Sequence, residues 1–330
     1  MELITPAYYS QFRCIASACP DSCCKEWSVD VDSESATRYR ALPGALGDRL
    51  RQVLVDTGDG TIMQIEDGRC PMWRQDGLCR IQAELGHEAL CQVCQDFPRL
   101  RHDYGSLVEI GLELSCPEAA RLILNCDKDE VTVTQIPGGE EPEDPEALAV
   151  LRRSREEALA FLEKREFPFP QALAVLLMYG HDVQAELDGD IPAVLEPDEF
   201  LAQAATYAQP GSVQAMFQFF SRLEILTQPW QQLLNQPAAV PQWTEVLRRF
   251  ARYLIRRYWL QAVSDYDLIC RVKFIISACI LLAHMTGDPA NNAQLFSKEI
   301  ENDPDNVEAL LDAAYTDPAF TDALLLYLLA

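Results

Sequence analysis

The sequence has no hydrophobic run long enough to cross a membrane, and it has little positive charge. Its longest apolar segment, residues 274–283, is about half of the ~20 residues that a transmembrane helix requires. The chain has only 27 basic residues and 51 acidic ones, which gives a net charge of −24 at pH 7. Because such a field repels polyanions, nucleic acid and anionic membrane are poor candidates for partners. The first residues, MELITPAYYSQFRC, lack the pattern of a secretion signal, so we expect a cytoplasmic protein.

Glycine-rich and histidine-based motifs are also missing. No GxGxxG turn follows a strand, so an ordinary Rossmann methyltransferase is not indicated. The four histidines show no HxxxH spacing, and the one nearest a cysteine motif, His102, is best interpreted as a surface residue. The four are His87, His102, His181 and His284.

Cysteine is concentrated in one part of the chain. Ten of the twelve cysteines lie within residues 1–126, a local density of about 8% that is typical of disulfide or metal scaffolds. Disulfides do not persist in a reducing cytosol, so we expect a metal or cluster site. The other two, Cys270 and Cys279, lie in an apolar helical segment and are predicted to be core residues.

These differences predict two domains of different kinds. Residues 131–145 combine Pro137, Gly138 and Gly139 with an acidic cluster, which indicates a solvated linker. Residues 1–130 are predicted to form a small, irregular α+β cysteine-rich domain with a short hairpin. In residues 146–330 apolar residues recur at helical spacing, which predicts an all-helical domain. The expected fold class is therefore mainly α.

Short elements are expected in the first domain. The patterns predict helices at residues 33–39, 46–55 and 81–90, and a hairpin through TIMQIED and GRCPMWRQDGLCRI with Asp76 and Gly77 at its turn. A strand at residues 107–114 is expected to lead into a helix opened by Ser115.

Nine cysteines of this domain are the candidate metal ligands. Spacings such as Cys91-Gln-Val-Cys94 let one loop bring several thiolates to one ion. The adjacent Cys23 and Cys24 do not easily form a disulfide with each other, so they can serve different ligands or roles. Nine thiolates leave open a cluster with spare thiols, two sites, or one site plus packed free cysteines. The nine are Cys14, Cys19, Cys23, Cys24, Cys70, Cys79, Cys91, Cys94 and Cys116.

The number of CxxC pairs bears on the kind of metal. A zinc ribbon has two such pairs, whereas this sequence has one, which favours an iron–sulfur cluster and leaves zinc as the alternative.

Taken together, the cysteine motifs carry a family resemblance. They read CxxxxCPDSCCKEW from Cys14, GRCP around Cys70, DGLC ending at Cys79, CQVCQDFPR from Cys91 and SCPEAAR around Cys116. This combination resembles the bacterial flagellin lysine-N-methylase family, within a broader group of zinc- or iron-chelating cysteine-rich domains. The resemblance implies a [4Fe–4S] iron–sulfur cluster, S-adenosylmethionine as methyl donor and flagellin lysine ε-amines as acceptors.

Two departures limit what the resemblance transfers. The broader group carries CxxCxxCC, whereas this chain has Cx4Cx3CC, so the ligand assignment stays open. The CxxxCxxC motif of radical S-adenosylmethionine enzymes is absent, so radical chemistry is not indicated by motif.

Lysine methylation also needs a neutral amine. Free lysine titrates near ~10.4, so the site must desolvate the amine or supply a base. Candidate bases, each of which can equally be a cap or a solvated charge, are Asp21, Glu26, Asp30, Tyr104 and Glu118. Trp27 and the pair Tyr8 and Tyr9 could form a cation-attracting wall or belong to the core.

Two groups of arginines stand out in this acidic chain. Arg99, Arg101 and Arg121 could hold a cofactor carboxylate or pair with local acids. A second group shares one face of a predicted helix, and its pairing with the protein's own carboxylates is favoured over docking of an acidic partner. That group is Arg248, Arg252 and Arg256, opposite an apolar stripe of Val246, Phe250, Leu254 and Tyr258.

The sequence therefore predicts a two-domain protein-lysine N-methyltransferase that uses S-adenosylmethionine and has flagellin as its protein partner. The enzyme class follows from the resemblance, whereas the metal site follows from the residues. The alternative is a non-enzymatic iron–sulfur or zinc protein whose helical domain binds a partner. A redox or cluster-carrier role is a third hypothesis.

Overall fold

Helices dominate the computed structural model, which describes residues 1–192 and 195–330 and confirms the mainly α prediction. The helices are α1 (Ser33–Ala41), α2 (Gly44–Val53), α3 (Arg80–Leu85), α4 (Gln92–Asp96), α5 (Pro117–Leu124), α6 (Pro145–Glu163), α7 (Phe169–Leu187), α8 (Pro197–Tyr207), α9 (Gln214–Phe220), α10 (Gln228–Asn235), α11 (Glu245–Tyr258), α12 (Leu268–Ala283), α13 (Pro289–Phe296), α14 (Pro304–Thr316) and α15 (Asp322–Leu329). The strands are β1 (Glu2–Pro6), β2 (Val29–Val31), β3 (Leu54–Asp56), β4 (Thr61–Met63), β5 (Arg99–Asp103), β6 (Leu107–Leu112) and β7 (Val131–Gln135).

The larger sheet joins the start of the chain to its middle. Its strand order is β5-β6-β1-β7, with β1 parallel to β6 and antiparallel to β7. A buried ion pair fixes this sheet to the helices, because the two terminal guanidinium nitrogens of Arg155 in α6 donate to the carboxylate of Glu109 in β6, at 2.8 and 2.6 Å. Arg155 is only 1% exposed. Two parallel hydrogen bonds satisfy the charges that this packing buries.

The smaller sheet belongs to the cysteine-rich part of the chain. Strands β2, β4 and β3 pair antiparallel, and helices α1 and α2 pack beside them on a small hydrophobic core. The predicted turn at Asp76 and Gly77 is present, and Trp73 and Cys79 form an antiparallel bridge across it. The TIMQIED segment instead contributes β4 to the sheet, because β2 and β3 supply its hydrogen-bonding partners.

The hydrophobic cores cut across the predicted domain ranges. The large core combines the helices after residue 145 with Ile4, Phe12 and residues of β6 and α5. The segment predicted as a linker contains β7, which pairs with β1. The predicted domain limits themselves stay a prediction.

The local boundaries differ from the predicted ones at two places, the start of α5 and the end of α3. The strand at residues 107–112 leads into α5, but Cys116 rather than Ser115 occupies the N-cap position, and Pro117 begins the helix. The residues predicted as one helix at 81–90 form α3 and a separate 3₁₀ turn, His87–Ala89, because Gly86 adopts a φ of 89° between them.

After α13 the helix widens into a π-helical segment, Ser297–Glu301, all of whose residues are buried. Among the described residues, no helix combines the length and the apolar character that spanning a membrane requires.

Candidate functional site

The candidate metal ligands come from separate turns that meet in the cysteine-rich part. Cys24 and Cys70 are joined through their backbones, since the Cys70 N–H donates to the Cys24 carbonyl at 2.8 Å. Cys91 and Cys116 occupy the N-cap positions of α4 and α5. The backbone therefore brings cysteines from distant parts of the sequence into one region.

Thiol contacts in this region shift several pKa values. Interaction with the neighbouring thiols of Cys23 and Cys70 lowers the pKa of Cys24 and raises theirs, while the Cys70 thiol itself donates to the Met63 sulfur at 3.5 Å. Cys91 and Cys94 form a second such pair, with the pKa of Cys91 lowered and that of Cys94 raised. The pattern favours thiolates at Cys24 and Cys91, and thiolates are the form that binds metals.

The donor set fits a thiophilic metal or cluster by its chemistry. All twelve cysteines are free thiols. Within residues 1–192 and 195–330, however, no three Cys, His, Asp or Glu side chains already stand in a metal-binding arrangement. Cys126 lies apart, with its thiol 3.2 Å from the Lys128 carbonyl, and Cys270 and Cys279 are buried as predicted.

A cavity of about 280 Å³ lies beside these thiols. Its volume is near the lower end of the ~300–1,000 Å³ typical of small-molecule sites. Thiols, an aromatic ring, two carboxyl groups and an amide line it, provided by Cys23, Cys94, Trp27, Asp30, Glu113 and Asn302. The cavity thus joins the cysteine-rich part, the end of β6 and the residue that follows the π-helical segment.

Glu113 is the functional candidate that the sequence analysis missed. It directly follows β6, and its backbone N–H donates to the Pro98 carbonyl at 2.7 Å. Burial raises the pKa of its carboxyl group, against the lowering effect of Arg257. The available signal was an acid near the end of the strand predicted at residues 107–114, just before the Ser115-Cys116 motif, but only the cavity distinguishes it from a surface charge.

A buried network holds the backbone beside Glu113. The Arg257 guanidinium of α11 donates to the Tyr253 hydroxyl at 2.8 Å and pairs with Glu301 at 3.2 Å. The same hydroxyl lies 3.4 Å from the backbone N–H of Leu114, which donates to it. Because Glu301 ends the π-helical segment, this network connects two sides of the cavity.

Two of the predicted bases are occupied by an internal lysine. Lys298, which is 2% exposed, lies 2.8 Å from Asp21, also contacts Glu26, and stands 5.3 Å from the centre of the Trp27 ring. Although burial opposes ionisation, the bond from Lys298 lowers the pKa of Asp21. Asp21 and Glu26 are therefore counterions of Lys298, and Trp27 is both a cation-attracting surface and a wall of the cavity.

The remaining predicted residues lie elsewhere. Asp30 lines the cavity, whereas Tyr104 and His102 line a different one. Glu118 pairs with Arg121 at 2.7 Å. Tyr8 and Tyr9 pack against the large core. The Arg99 guanidinium stands over the Phe12 ring, and Arg101 pairs with Asp103.

His102 is half-buried rather than exposed, since β5 places it beside Tyr104 with ring centres 6.5 Å apart. The three arginines Arg99, Arg101 and Arg121 form no common cluster, because each has its own neighbour.

The arginine row of α11 binds groups of the protein itself, as predicted. Arg248 donates to the carbonyls of Leu162 and Phe167, and Arg252 pairs with Glu163 at 3.2 Å. Arg256 forms ion pairs with Asp129 and Glu156. The row therefore anchors α11 instead of presenting a basic surface.

Comparison with known proteins adds a relationship that the geometry does not give. Over 127 residues the chain is 36% identical to the flagellar biosynthetic protein FliU of Salmonella muenchen, and the match covers 75% of that protein and 36% of this chain. The chain belongs to the flagellin lysine-N-methylase family. That membership confirms the resemblance predicted from the cysteine motifs.

Other relatives of the flagellin lysine-N-methylase family are matched over a smaller share of their length. Lysine-N-methylases of Salmonella typhimurium and Salmonella choleraesuis are each 34% identical to this chain over 137 residues. The chain thus spans about a third of each of those proteins, and the match covers 39% of this chain. No protein-family model matches the chain, and no solved structure matches it.

Proposed function

We propose that this protein is a protein-lysine N-methyltransferase that transfers a methyl group from S-adenosylmethionine to lysine side chains of flagellin. The supporting observation is the match to three quarters of FliU, together with the similarity to proteins named lysine-N-methylase. A cytoplasmic location belongs to the same proposal, because reduced thiols are stable in a reducing compartment.

The cavity at the thiols is the proposed place of reaction. A lysine side chain entering it would meet the Trp27 ring, whose face attracts cations, and the carboxyl groups of Glu113 and Asp30. The apolar part of the lining disfavours the charged form of the amine, and a carboxylate beside it can accept the proton that the amine must lose before attack. Positioning of the amine in line with the donor is then the main requirement.

Glu113 is the proposed proton acceptor. The attacking ε-amine forms a bond to the methyl carbon while the carbon–sulfur bond of the sulfonium breaks, which leaves a neutral thioether and a methylated lysine. The ammonium proton that must leave before the attack passes to the Glu113 carboxylate. The Arg257–Tyr253–Leu114 contacts hold the neighbouring backbone, so the carboxyl group keeps its position.

The nine amino-terminal cysteines are the residues that would hold the iron–sulfur cluster implied by the family resemblance, with zinc as the alternative. Such a centre fixes thiolates from several loops in one place, and metal binding contributes directly to folding. The chain's own part is to supply the thiolates and to close one side of the cavity through Cys23 and Cys94.

A methylation assay with a cavity variant tests this proposal. Flagellin is incubated with the anaerobically prepared protein and S-adenosylmethionine, and mass spectrometry looks for mass steps of about 14 Da on lysine, one CH₂ per methyl transfer. Removing a positioned general base typically costs 10²- to 10⁴-fold, so we expect Glu113→Gln to lower kcat by about 100-fold with the metal content unchanged. The exposed Glu88→Gln is the matched control and should retain full activity.

Two results would contradict the proposal. Equal activity of the Glu113→Gln and wild-type proteins would remove Glu113 from the reaction. Absence of both methylation and S-adenosylmethionine binding in metal-loaded protein would favour the non-enzymatic metal protein instead.

A further inference from the structure

The two edges of the larger sheet differ in character. One edge is β5, which carries Arg99, Arg101 and Asp103, and charged side chains are a common protection of an edge strand against pairing with another chain. The other edge is β7, which reads VTVTQ and has neither a charged residue nor a proline. Its register with β1 runs through five consecutive residue pairs without a bulge. The sequence of β7 therefore lacks the features that commonly prevent a further strand from pairing.

The backbone groups along the outer edge of β7 have no partners in the part of the chain that the structure describes. The N–H of Ile136 donates to the Met1 carbonyl at 3.0 Å, so the even-numbered residues of β7 face β1, because successive residues of an antiparallel strand direct their backbone groups to opposite sides. The odd-numbered residues direct their N–H and carbonyl groups outward. They are Val131, Val133 and Gln135. Four of the five residues of β7 are exposed, so another chain can approach these groups.

The charge at the carboxyl-terminal end of β7 indicates what this edge can bind. The exposed side chains of Glu140, Glu141 and Glu143, which follow the strand, form no ion pair with any residue of 1–192 or 195–330. A second copy of this chain would bring the same carboxylates and another net charge of −24 to the edge, and the two chains would repel each other. A segment that carries lysine side chains is complementary, because its ammonium groups would meet unpaired carboxylates.

The edge also lies within reach of the proposed place of reaction. Since β1 is parallel to β6 and antiparallel to β7, β7 begins at the same end of the sheet at which β6 leads into Glu113. Neighbouring strands are ~4.8 Å apart, so a strand added to β7 would lie ~14 Å from β6. About four or five extended residues span that distance. A lysine a few residues beyond the paired part of such a segment can therefore reach the cavity at Glu113.

We propose that the outer edge of β7 binds an extended, lysine-bearing segment of the protein substrate as an additional strand of the sheet. Backbone hydrogen bonds to the three outward-facing residues hold the segment whatever its sequence, and the carboxylates after β7 favour segments that carry lysine. Binding of this kind selects lysines next to extended chain over lysines within helices. That the bound segment belongs to the methylated protein rests on the proposed function, whereas the pairing itself does not.

Binding of a synthetic peptide tests the edge without any methyl transfer. The full-length, anaerobically prepared protein is titrated, without S-adenosylmethionine, into a fluorescently labelled peptide that alternates lysine with threonine, and the anisotropy is recorded. We expect binding that weakens as salt is added, since the carboxylates involved are exposed. Hydrogen exchange with mass spectrometry should show new protection within residues 131–136. The same peptide with glutamate in place of lysine should not bind.

Substitution of the central residue of β7 gives the sharpest test. Val133→Pro removes one outward N–H and leaves the hydrogen bonds between β7 and β1 in place, because proline is accepted on an edge strand where the N–H faces solvent. We expect it to weaken peptide binding by about 10-fold or more, through the lost donor and the clash of the ring with the added strand. Val133→Thr keeps the N–H and is the matched control. Unchanged protection of β1 in hydrogen exchange shows that the Val133→Pro sheet is intact.

The carboxylates after β7 are tested separately. The triple variant Glu140→Gln, Glu141→Gln and Glu143→Gln should bind the peptide about fivefold more weakly and with less dependence on salt, since exposed ion pairs contribute only modestly. The matched control removes three exposed carboxylates of the cysteine-rich part and should bind the peptide as the wild-type protein does. It combines Glu34→Gln, Asp59→Asn and Glu88→Gln.

Methylation kinetics separate docking from the chemical step. With flagellin as substrate, Val133→Pro should raise KM by about 10-fold and leave kcat unchanged. No binding of the lysine peptide, equally tight binding of the glutamate peptide, dimerisation through β7 in the absence of peptide, or equal KM values for Val133→Pro and wild-type protein would each overturn the proposal. Peptide binding at β7 by a protein that never methylates flagellin would contradict the proposed function and still support the pairing.

Discussion

The two cores of this protein are built on different principles. The large core is assembled from interlocking apolar side chains, with Trp230, Trp259 and Phe296 fully buried. The small core has far fewer apolar residues, and five cysteines belong to it or pack against it. A core of that size gains little from apolar burial alone, which is why small scaffolds commonly depend on metals. One region therefore supplies its own stability, whereas we propose that the other depends on what its thiols bind.

Removal of the proposed metal should have the largest effect, and it should affect the two cores differently. Structural metal centres contribute about 10–16 kcal/mol to folding, so we expect chelation to unfold the small core while the helices around α12 remain folded. Hydrogen exchange with mass spectrometry would show lost protection in residues 24–94 and unchanged protection in residues 268–283. Equal protection of both regions after complete metal removal would contradict the dependence.

A cavity made by mutation in the large core should lower the stability of that core and leave the cysteine-rich part unchanged. Phe296 contacts the rings of Phe220, Trp230, Phe250 and Phe274, so Phe296→Ala should cost about 3–5 kcal/mol of unfolding free energy. Denaturant unfolding followed by circular dichroism measures that loss, and the metal content should not change. The exposed Tyr327→Ala is the control, with an effect within about 0.5 kcal/mol. Loss of metal in Phe296→Ala would show that the cores are coupled.

A substitution of Lys298 tests directly whether the helical part and the cysteine-rich part stabilise each other. Lys298→Met removes the cation that Asp21 and Glu26 share, and we expect a cost of about 2 kcal/mol, below the ~3–5 kcal/mol of a fully buried pair because both carboxylates are partly exposed. Hydrogen exchange in residues 19–27 should increase more than exchange in the helices. The exposed Lys128→Met serves as control. Unchanged hydrogen exchange in residues 19–27 would show that Lys298 does not keep this segment ordered and that its cysteines do.

The smallest effect is expected from an ion pair confined to the helical part. Burial would raise the pKa of Asp322, but hydrogen bonds from His181 and Lys273 lower it from 3.8 to about 2. Because the pKa is lower in the folded state, the stabilisation is present above pH 3.8 and is lost as the pH falls through about 2. Asp322→Asn should cost about 1 kcal/mol at pH 6, since solvent screens the partly exposed pair, and progressively less as the pH falls towards 2. A constant difference across this range in denaturant unfolding would contradict the assignment.

The sequence patterns predicted the elements better than their connections. Apolar periodicity identified the helices after residue 145, and Asp76-Gly77 identified a turn, because both signals are local. The pairing of β7 with β1 was not predicted, since hydrogen bonding between residues more than 120 positions apart leaves no local signature. For the same reason the sequence predicted the helices, but it did not predict that residues from both predicted domains form the large core.

The sequence indicated the kind of side chain at the candidate site, but not all of the residues that line it. Nine thiols were named from spacing alone, whereas Glu113 acquires its interest only from the burial and the cavity that the folded chain creates around it. Asp21 and Glu26 were named as bases because they stand near the cysteines. Their partner, Lys298, lies in the π-helical segment, 277 residues from Asp21, and no spacing rule connects them.

The position of β1 has a consequence for synthesis of the protein. This first strand lies between β6 and β7, so the sheet cannot be completed until residue 135 has left the ribosome. At ~5–20 residues per second, the nascent amino terminus waits on the order of ten seconds without its final neighbours. All ten cysteines of residues 1–126 emerge during that interval, so the order of translation leaves their thiols accessible before the sheet closes over the start of the chain.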